Sequence, residues 1–250
     1  MRPQWTAPPQ VHAWCSERAG GVSAAPYDAL NLGDHVGDDA AAVAENRRRF
    51  AGTLDARPVF LKQVHGRGVV QVTHDTVDGT EADACWTTEA GVACTIMVAD
   101  CLPVLLADGA GRVVGAAHCG WRGLAGEGGQ GALESLWRAM APHAGKPAQM
   151  LAWLGPCIGP DAFEVGPEVR AAFVQGDAGA AACFRPHGAG KFLADLPALA
   201  RRRLATLGIT AISGNDGTAQ WCTVTEASQF FSHRRDRVSG RFAAAVWLGR

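Results

Sequence analysis

The chain contains little lysine, no excess of positive charge and no long apolar run. Lysine occurs only at positions 62, 146 and 191, and the 250 residues carry a formal net charge of −1 at pH 7. Proteins that bind nucleic acid or acidic membranes in general carry a basic excess. The longest apolar run, GVACTIMVA, ends at Asp100 and is too short to span a bilayer. We therefore expect neither nucleic acid nor membrane as a partner.

Export signals and a disulfide framework are also missing. The segment MRPQWTAPPQVHAWC at the start contains no apolar core of signal-peptide length. The eight cysteines form no C-x-x-C pair and show no framework spacing; they occupy positions 15, 85, 94, 101, 119, 157, 183 and 222. This pattern favours reduced thiols and a cytoplasmic location.

Several common catalytic motifs are absent. The segment GEGGQG at 126–131 matches the dinucleotide-binding pattern, but it does not directly follow a strand, and no ribose-binding acid comes about 20 residues later. There is no Walker loop and no G-x-S-x-G elbow. The zinc-deaminase signature is missing too, because Pro156-Cys157 is not followed by the second cysteine.

The chain is rich enough in apolar residues, at 48%, to form a sizeable core, and we expect one domain over 1–250. Continuous apolar runs predict buried strands, and strands interleaved with helices predict an α/β or α+β fold with a mixed sheet. Strands are expected at 11–15, 58–65, 68–73, 91–100, 101–108, 112–118, 150–155, 210–214 and 241–248, and helices at about 40–53, 126–140, 167–175 and 195–207. The pair 58–65 and 68–73 is expected to form a hairpin around Gly66.

Three possible metal ligands stand at the predicted ends of strands: His65, Cys101 and His118. A His-Cys-His set can hold Zn²⁺ with a fourth position left open, and it also suits copper. The intervals of 36 and 17 residues match no local zinc pattern, so the spacing leaves another interpretation open. Each histidine can be a hydrogen-bonded structural residue, and the cysteine an inert small hydrophobe.

Other polar residues cluster at the same strand ends: Lys62, Gln63, Asp100 and Arg122. Arg122 lies between glycines and can present its guanidinium to a phosphate or carboxylate, or it can pair with Glu127. Earlier in the chain, Asn31, His35 and Asn46 can line a cleft or serve as turn and cap residues. Near the end, the segment FFSHRRD at 230–236 can close a pocket or form a surface rim.

Eight motifs in order resemble the bacterial laccase-domain family, which was long described as multicopper polyphenol oxidases and is now described as purine nucleoside phosphorylases. One branch is described as a peptidoglycan editing factor. The motifs cover nearly the whole chain: LNLGDHVGDD, LKQVHG, ADACWT, VADCLPVLLAD, AAHCGWRG, LGPCIGPDAFEVG, FFSHRRD and GRFAAAVWL. The fold implied is a single α/β domain with mixed sheets in a sandwich-like core and flanking helices, similar to the catalytic domain of cytotoxic necrotizing factor toxins.

The resemblance implies one zinc ion bound by the histidine of K-Q-V-H, the cysteine of D-C and the histidine of H-x-G-W-R-G. These residues are His65, Cys101 and His118 in this chain. The chain departs from the family pattern at Cys119, where alanine is usual, and at Phe163, where tyrosine is usual.

The activities implied are phosphorolysis of adenosine, inosine and methylthioadenosine, and deamination of adenosine. For these reactions Asp100 is a candidate proton carrier, Lys62 and Arg122 are candidates for binding phosphate, and Gln63 for a hydrogen bond to substrate. A second possibility makes Cys101 a nucleophile and His118 its base in an amidase acting on a cell-wall precursor. Copper-dependent phenol oxidation is disfavoured, because the eight histidines are mostly isolated. A structural zinc site would need a fourth protein ligand.

Overall fold

The computed structural model describes residues 1–249. Its strands are β1 (Val11–Cys15), β2 (Arg57–Phe60), β3 (Val69–Gln71), β4 (Ala84–Thr87), β5 (Val92–Val98), β6 (Leu102–Asp108), β7 (Val114–Cys119), β8 (Met150–Leu154), β9 (Glu164–Val165), β10 (Phe184–His187), β11 (Lys191–Ala194), β12 (Ala211–Gly214) and β13 (Phe242–Leu248). Its α-helices are α1 (Ala40–Thr53), α2 (Trp121–Ala125), α3 (Ala132–Met140), α4 (Pro167–Val174), α5 (Leu196–Thr206) and α6 (His233–Asp236). Short 3₁₀ helices occur at Ala141–His143, Pro147–Gln149, Ala178–Cys183 and Ala219–Trp221.

Two larger sheets contain most of the strands. One has the order β1-β13-β5-β2 and the other β12-β8-β6-β7-β4-β3, while β10-β11-β9 forms a small antiparallel sheet. The pairs β2–β5, β3–β4 and β8–β12 are parallel, and the remaining pairs in the two larger sheets are antiparallel. The prediction of a mixed α/β fold is therefore confirmed.

The two larger sheets pack face to face, as in a sandwich. Ile96 and Val246 from one sheet share a buried cluster with Leu105 and Val114 from the other. The outer face of the four-stranded sheet is covered by α1 and that of the six-stranded sheet by α3, while α4 and α5 contribute to the same buried cluster as α3. Every residue of β5, β6, β7 and β13 is buried, as their continuous apolar runs predicted. No helix within residues 1–249 has the length and apolar character needed to cross a membrane.

The predicted hairpin around Gly66 is wrong, because β2 pairs with β5 and β3 pairs with β4 in the other sheet. The backbone N–H groups of His65 and Gly66 donate to the carboxylate of Asp83, at 2.8 and 2.6 Å. These amides are therefore unavailable for a hairpin ladder, and the connecting loop crosses from one sheet to the other. The chain crosses between the sheets again at Asp100 and Cys101, which separate β5 from β6.

The helix predicted to begin near Gly126 begins instead at Ala132. Gly126, Gly128 and Gly129 all have positive φ angles, which end α2 and keep 126–130 out of helical geometry. The side chain of Glu134 then accepts a hydrogen bond from the backbone N–H of Gly131 at 2.8 Å. The helix that directly follows β7 is therefore the short α2.

Candidate metal centre and cleft

His65, Cys101 and His118 converge at the place where the chain passes between the two larger sheets. His65 lies in the loop after β2, Cys101 lies between β5 and β6, and His118 belongs to β7. Their possible ligand atoms all lie within 4.8 Å of one another. The two imidazole rings meet edge to face, with centroids 4.7 Å apart. Residues that the sequence separates by 36 and 17 positions thus form one cluster.

The backbone around this cluster is tightly constrained. His65 and Asp100 have φ angles of 62° and 88°, which non-glycine residues rarely adopt. A Cβ atom on Gly120 would lie 2.9 Å from the sulfur of Cys101 and 3.4 Å from Cδ2 of His65. Glycine is therefore needed at position 120, where the backbone passes directly behind the thiol. Unusual backbone geometry of this kind concentrates at functional sites.

Asp83 connects the loop of His65 to the ring of His118, and the sequence analysis assigned it no role. Its Oδ1 lies 2.9 Å from Nδ1 of His118 and accepts the N–H of His65. The side chain is 0% exposed. Because Nδ1 contacts Asp83, Nε2 is the nitrogen of His118 that remains for a metal or for Cys101. The only sequence signal for Asp83 is its place in the motif ADACWT.

The thiol of Cys101 and the imidazole of His118 stabilise each other's charged forms. Burial by itself raises the pKa of Cys101, but the charge and hydrogen bond of His118 and the hydrogen bond of His65 outweigh it and lower the pKa to about 6. Burial by itself lowers the pKa of His118, but Cys101 and Asp83 outweigh it and raise the pKa to about 9. The metal-free protein is therefore expected to hold a thiolate–imidazolium pair at neutral pH, suited to bind a metal or to act as a nucleophile.

We expect iodoacetamide to alkylate Cys101 selectively in metal-free protein, with the rate half-maximal near pH 6. Below this pH the thiol is protonated and unreactive, and above it the thiolate predominates. Burial instead raises the pKa of Cys15 to about 12 and holds the pKa of Cys119 well above its usual range. The measurement is the pH dependence of modification at Cys101, followed by mass spectrometry of its peptide.

His118→Ala is the control for this experiment, because it removes the imidazolium while leaving Cys101 in place. Its midpoint is expected to move upward by more than one pH unit, about 1.4 kcal/mol of lost stabilisation of the thiolate. A wild-type midpoint near that of an ordinary thiol, about pH 8.5, contradicts the expectation.

A cleft of about 420 Å³ opens onto the cluster. Its walls carry apolar groups, including Ile158, Phe163 and Trp121, and four arginines: Arg122, Arg234, Arg237 and Arg241. Within residues 1–249, none of these arginines has a carboxylate within 4.0 Å. The cleft thus combines three possible metal ligands with unpaired positive charge, an arrangement that suits an anionic ligand.

The guanidinium of Arg122 lies over the ring of Trp121, with 4.4 Å from its carbon to the ring centroid. Glu127, the predicted alternative partner of Arg122, instead pairs with Arg67 at 2.9 Å. Arg122 is exposed and lines the cleft, so the structure leaves it free for a ligand.

The structure does not bring Lys62 to the cleft, because its ammonium pairs with Glu81 at 3.0 Å on the surface. Gln63 does line the cleft, but its side chain bonds both backbone groups of Met97 at 2.8 Å, which leaves it a role in holding the loop. Asp100 also lines the cleft. Its carboxylate accepts hydrogen bonds from the hydroxyl of Thr223 and the N–H of Arg234, both at 2.6 Å, as expected for a residue that orders the turn.

The early loop contributes both structure and a cleft residue. Asn31 and Asn46 are fully buried and hydrogen-bonded to backbone and side chains, so they hold the loop in place. His35 lines the cleft. In FFSHRRD the two phenylalanines at 230 and 231 are buried, whereas His233 and Arg234 line the cleft. Cys119, next to His118, is buried in the core cluster.

The chain is similar in sequence to known proteins along almost its whole length. The family model described as multi-copper polyphenol oxidoreductase laccase matches residues 12–249. A purine nucleoside phosphorylase of Shigella flexneri is 50% identical over 248 residues, which cover 98% of this chain and 97% of the relative. One from Pseudomonas aeruginosa is 50% identical over 250 residues, covering 99% and 98%.

Solved structures give the same result. Protein NMB0706 of Neisseria meningitidis has a TM-score of 0.92 at 43% identity and covers 100% of this chain and 99% of that one. YlmD from Geobacillus stearothermophilus has a TM-score of 0.83 at 31% identity, covering 97% and 93%. Matches of this extent and identity leave one assignment: the chain belongs to the multi-copper polyphenol oxidoreductase laccase family.

Proposed function

We propose that this protein is a metal-dependent purine nucleoside phosphorylase that uses His65, Cys101 and His118 as metal ligands. The observation that carries the proposal is the cleft, in which this cluster lies beside arginines that have no carboxylate partner among residues 1–249. Phosphorolysis needs a bound phosphate next to the sugar and stabilisation of the departing purine. The relatives named purine nucleoside phosphorylase, at 50% identity, support the same reaction.

The donor set fits zinc. Two imidazole nitrogens and a thiolate are common Zn²⁺ ligands, and three protein ligands leave a position open; the same set also accepts copper. The fit is supported by Asp83, which orients His118 as a carboxylate orients histidines in known zinc sites. When bound, zinc would supply a Lewis acid that polarises substrate and lowers the pKa of water.

The remaining roles belong to the walls of the cleft. The aromatic and apolar side chains of Trp121, Ile158 and Phe163 provide a surface for the purine ring. Arg122 is one of the arginines that can hold an anion there. We propose adenosine, inosine and methylthioadenosine as substrates, and deamination of adenosine as a second activity. We assign no proton transfer to Asp100, because both of its carboxylate oxygens already accept hydrogen bonds.

A product assay tests the function directly. Protein with its metal is incubated with adenosine, with and without phosphate, and the products are separated by chromatography. Adenine and ribose phosphate that form only with phosphate support phosphorolysis, and inosine supports deamination. His118→Ala and metal-free protein are the controls and are expected to lose product. Absence of any purine product from the wild type contradicts the proposal.

A second candidate is a Cys–His hydrolase acting on an amide, such as a residue in a cell-wall precursor. The observation that favours it is the series Cys101, His118, Asp83, in which a low-pKa thiol adjoins a histidine held by a buried carboxylate. Full hydrolytic activity in thoroughly demetallated protein, together with a covalent adduct on Cys101, would select this candidate. If activity is lost when the metal is removed and returns when Zn²⁺ is added, the phosphorylase is selected.

A further inference from the structure

Arg241 connects the segment before β13 to the loop at Asn31 and Leu32, beside the cleft. Its backbone N–H donates to Oδ1 of Asn31 at 2.8 Å, and its carbonyl accepts the N–H of Leu32 at 2.9 Å. The guanidinium Nη1 donates to the carbonyls of Ser239 and Gly240, at 2.8 and 3.0 Å. Nε and Nη2 have no hydrogen-bond partner within residues 1–249, although the side chain lines the cleft.

The charge of Arg241 is partly removed from water, and within residues 1–249 no carboxylate lies within 4.0 Å of it. Burial lowers its pKa, while Cys101, Asp100 and Tyr27 act in the opposite direction without restoring it. Of these groups Asp100 is the carboxylate, and both of its oxygens already accept hydrogen bonds, from Thr223 and from the backbone N–H of Arg234. Nε and Nη2 are not among the fully buried atoms, so an oxyanion in the cleft can reach them and would stabilise this largely buried charge.

Two further residues, Arg237 and His35, line the same cleft as Arg241, and of these Arg237 adds positive charge. Arg237 lines the cleft with a φ angle of 63°, and its side chain makes no hydrogen bond or ion pair within residues 1–249. His35 also lines the cleft, and burial together with the charge of Arg241 lowers its pKa. Nδ1 of His35 lies 3.5 Å from Oδ1 of Asp34, so His35 contributes a wall of the cleft rather than a charge.

Gly33 provides the space that this arrangement needs. A Cβ atom at position 33 would lie 2.8 Å from Cγ and 3.2 Å from Cβ of Arg241, so any larger residue must displace the stem of the arginine. The loop from Asn31 to His35 therefore packs against Arg241 and helps to set the position of its side chain. This assigns a purpose to the motif LNLGDH, which the metal centre alone does not explain.

We propose that Arg241, in the cleft that Arg237 and His35 also line, forms a subsite that binds a phosphoryl oxyanion next to the His-Cys-His cluster. The inference rests on the proposed function only for its role: the anion is either the inorganic phosphate that attacks the sugar or a phosphoryl group carried on the nucleoside. Arg122 is the weaker anchor, because it is exposed and stacked on Trp121.

The first test is binding of inorganic phosphate by titration calorimetry to protein that carries its metal. Arg241→Met is expected to weaken binding about 10- to 100-fold, as for loss of a charge-assisted hydrogen-bond pair. Gly33→Ala keeps the guanidinium but displaces it, and Arg237→Gln removes the exposed neighbour; each is expected to weaken binding severalfold. Arg201→Met is the matched control, because Arg201 also donates to two backbone carbonyls but lies outside the cleft lining.

The second test separates the two sources of the anion. An increase in KM for phosphate, with KM for inosine unchanged, identifies inorganic phosphate. Weaker binding of inosine 5′-monophosphate to Arg241→Met, with phosphate affinity unchanged, identifies a phosphoryl group on the nucleoside. If folded Arg241→Met binds both ligands as tightly as wild type, the subsite is overturned.

The test also covers a variant that does not fold and a wild type that cleaves no nucleoside. If Arg241→Met does not fold, unchanged phosphate and inosine 5′-monophosphate affinity in both Gly33→Ala and Arg237→Gln overturns the proposal. If the wild type cleaves no nucleoside but binds phosphate in an Arg241-dependent way, the phosphorylase function fails while the oxyanion subsite stands.

Discussion

Replacing Cys101 with alanine is expected to lower zinc affinity by at least about a thousandfold, because a thiolate is the only charged ligand of the cluster. Phosphorolysis should fall by a similar factor, which corresponds to about 4 kcal/mol of lost transition-state stabilisation. Zinc affinity is measured by competition with a chromophoric chelator, and phosphorolysis by release of free base from inosine.

Cys119→Ala is the matched control, since Cys119 is a second cysteine, next in sequence to His118 but outside the cluster. Cys119 is fully buried, and burial keeps its pKa well above the usual range. The substitution should therefore remove only packing contacts and lower the free energy of unfolding by about 1 kcal/mol. Zinc affinity and activity should match the wild type. Wild-type zinc binding in Cys101→Ala, or its loss in Cys119→Ala, would show that the metal ligand has been misassigned.

Asp83→Asn is expected to weaken zinc binding about 10- to 100-fold, as for other carboxylates that orient a metal-binding histidine. The change also leaves an amide donor facing the N–H groups that Asp83 now accepts, among them those of His65 and Gly66. Breaking a buried, charged network of this kind should lower the free energy of unfolding by about 3 kcal/mol. Chelator competition and urea denaturation measure the two effects.

Asp108→Asn separates loss of stability from loss of metal affinity. Asp108 is also 0% exposed, and its carboxylate accepts hydrogen bonds from Arg112 and from the N–H of Gly145, but it does not line the cleft. It should lose stability of the same order while zinc affinity stays within about twofold of wild type. Equal losses of zinc affinity in the two variants would mean that Asp83 acts only through global stability.

Most elements could be predicted from local patterns. The continuous apolar runs of β5, β6 and β7 predicted buried strands, and the helix expected over about 40–53 is α1, which Asp39 caps by accepting the N–H of Ala42. The strand expected over 58–65 ends at Phe60, and β9, β10 and β11 were not predicted. Two other errors concern long-range partners and glycine conformations. The hairpin does not form because Asp83 binds the amides of the loop, and the helix begins later because Gly126, Gly128 and Gly129 have positive φ angles.

The site divides in the same way. His65, Cys101 and His118 were visible because soft ligands at strand ends are rare enough to attract notice. Asp83 and Arg241 were not, because an acid or arginine beside a strand looks like any other until its partners are known. Lys62 shows the reverse case, since its position in sequence suggested the cleft and its side chain points to Glu81.

The sequence by itself determined the family, the fold class and which residue types could bind a metal, because hydrophobic periodicity and ordered motifs are local properties. Only the tertiary structure decided that β5 and β6 belong to different sheets, and this crossing brings Cys101 against His65 and His118. It also decided that a buried carboxylate orients one histidine and that two guanidinium nitrogens of Arg241 have no hydrogen-bond partner in the described part of the chain. The physical reason is that pKa values, desolvation and coordination depend on distances between residues far apart in the chain.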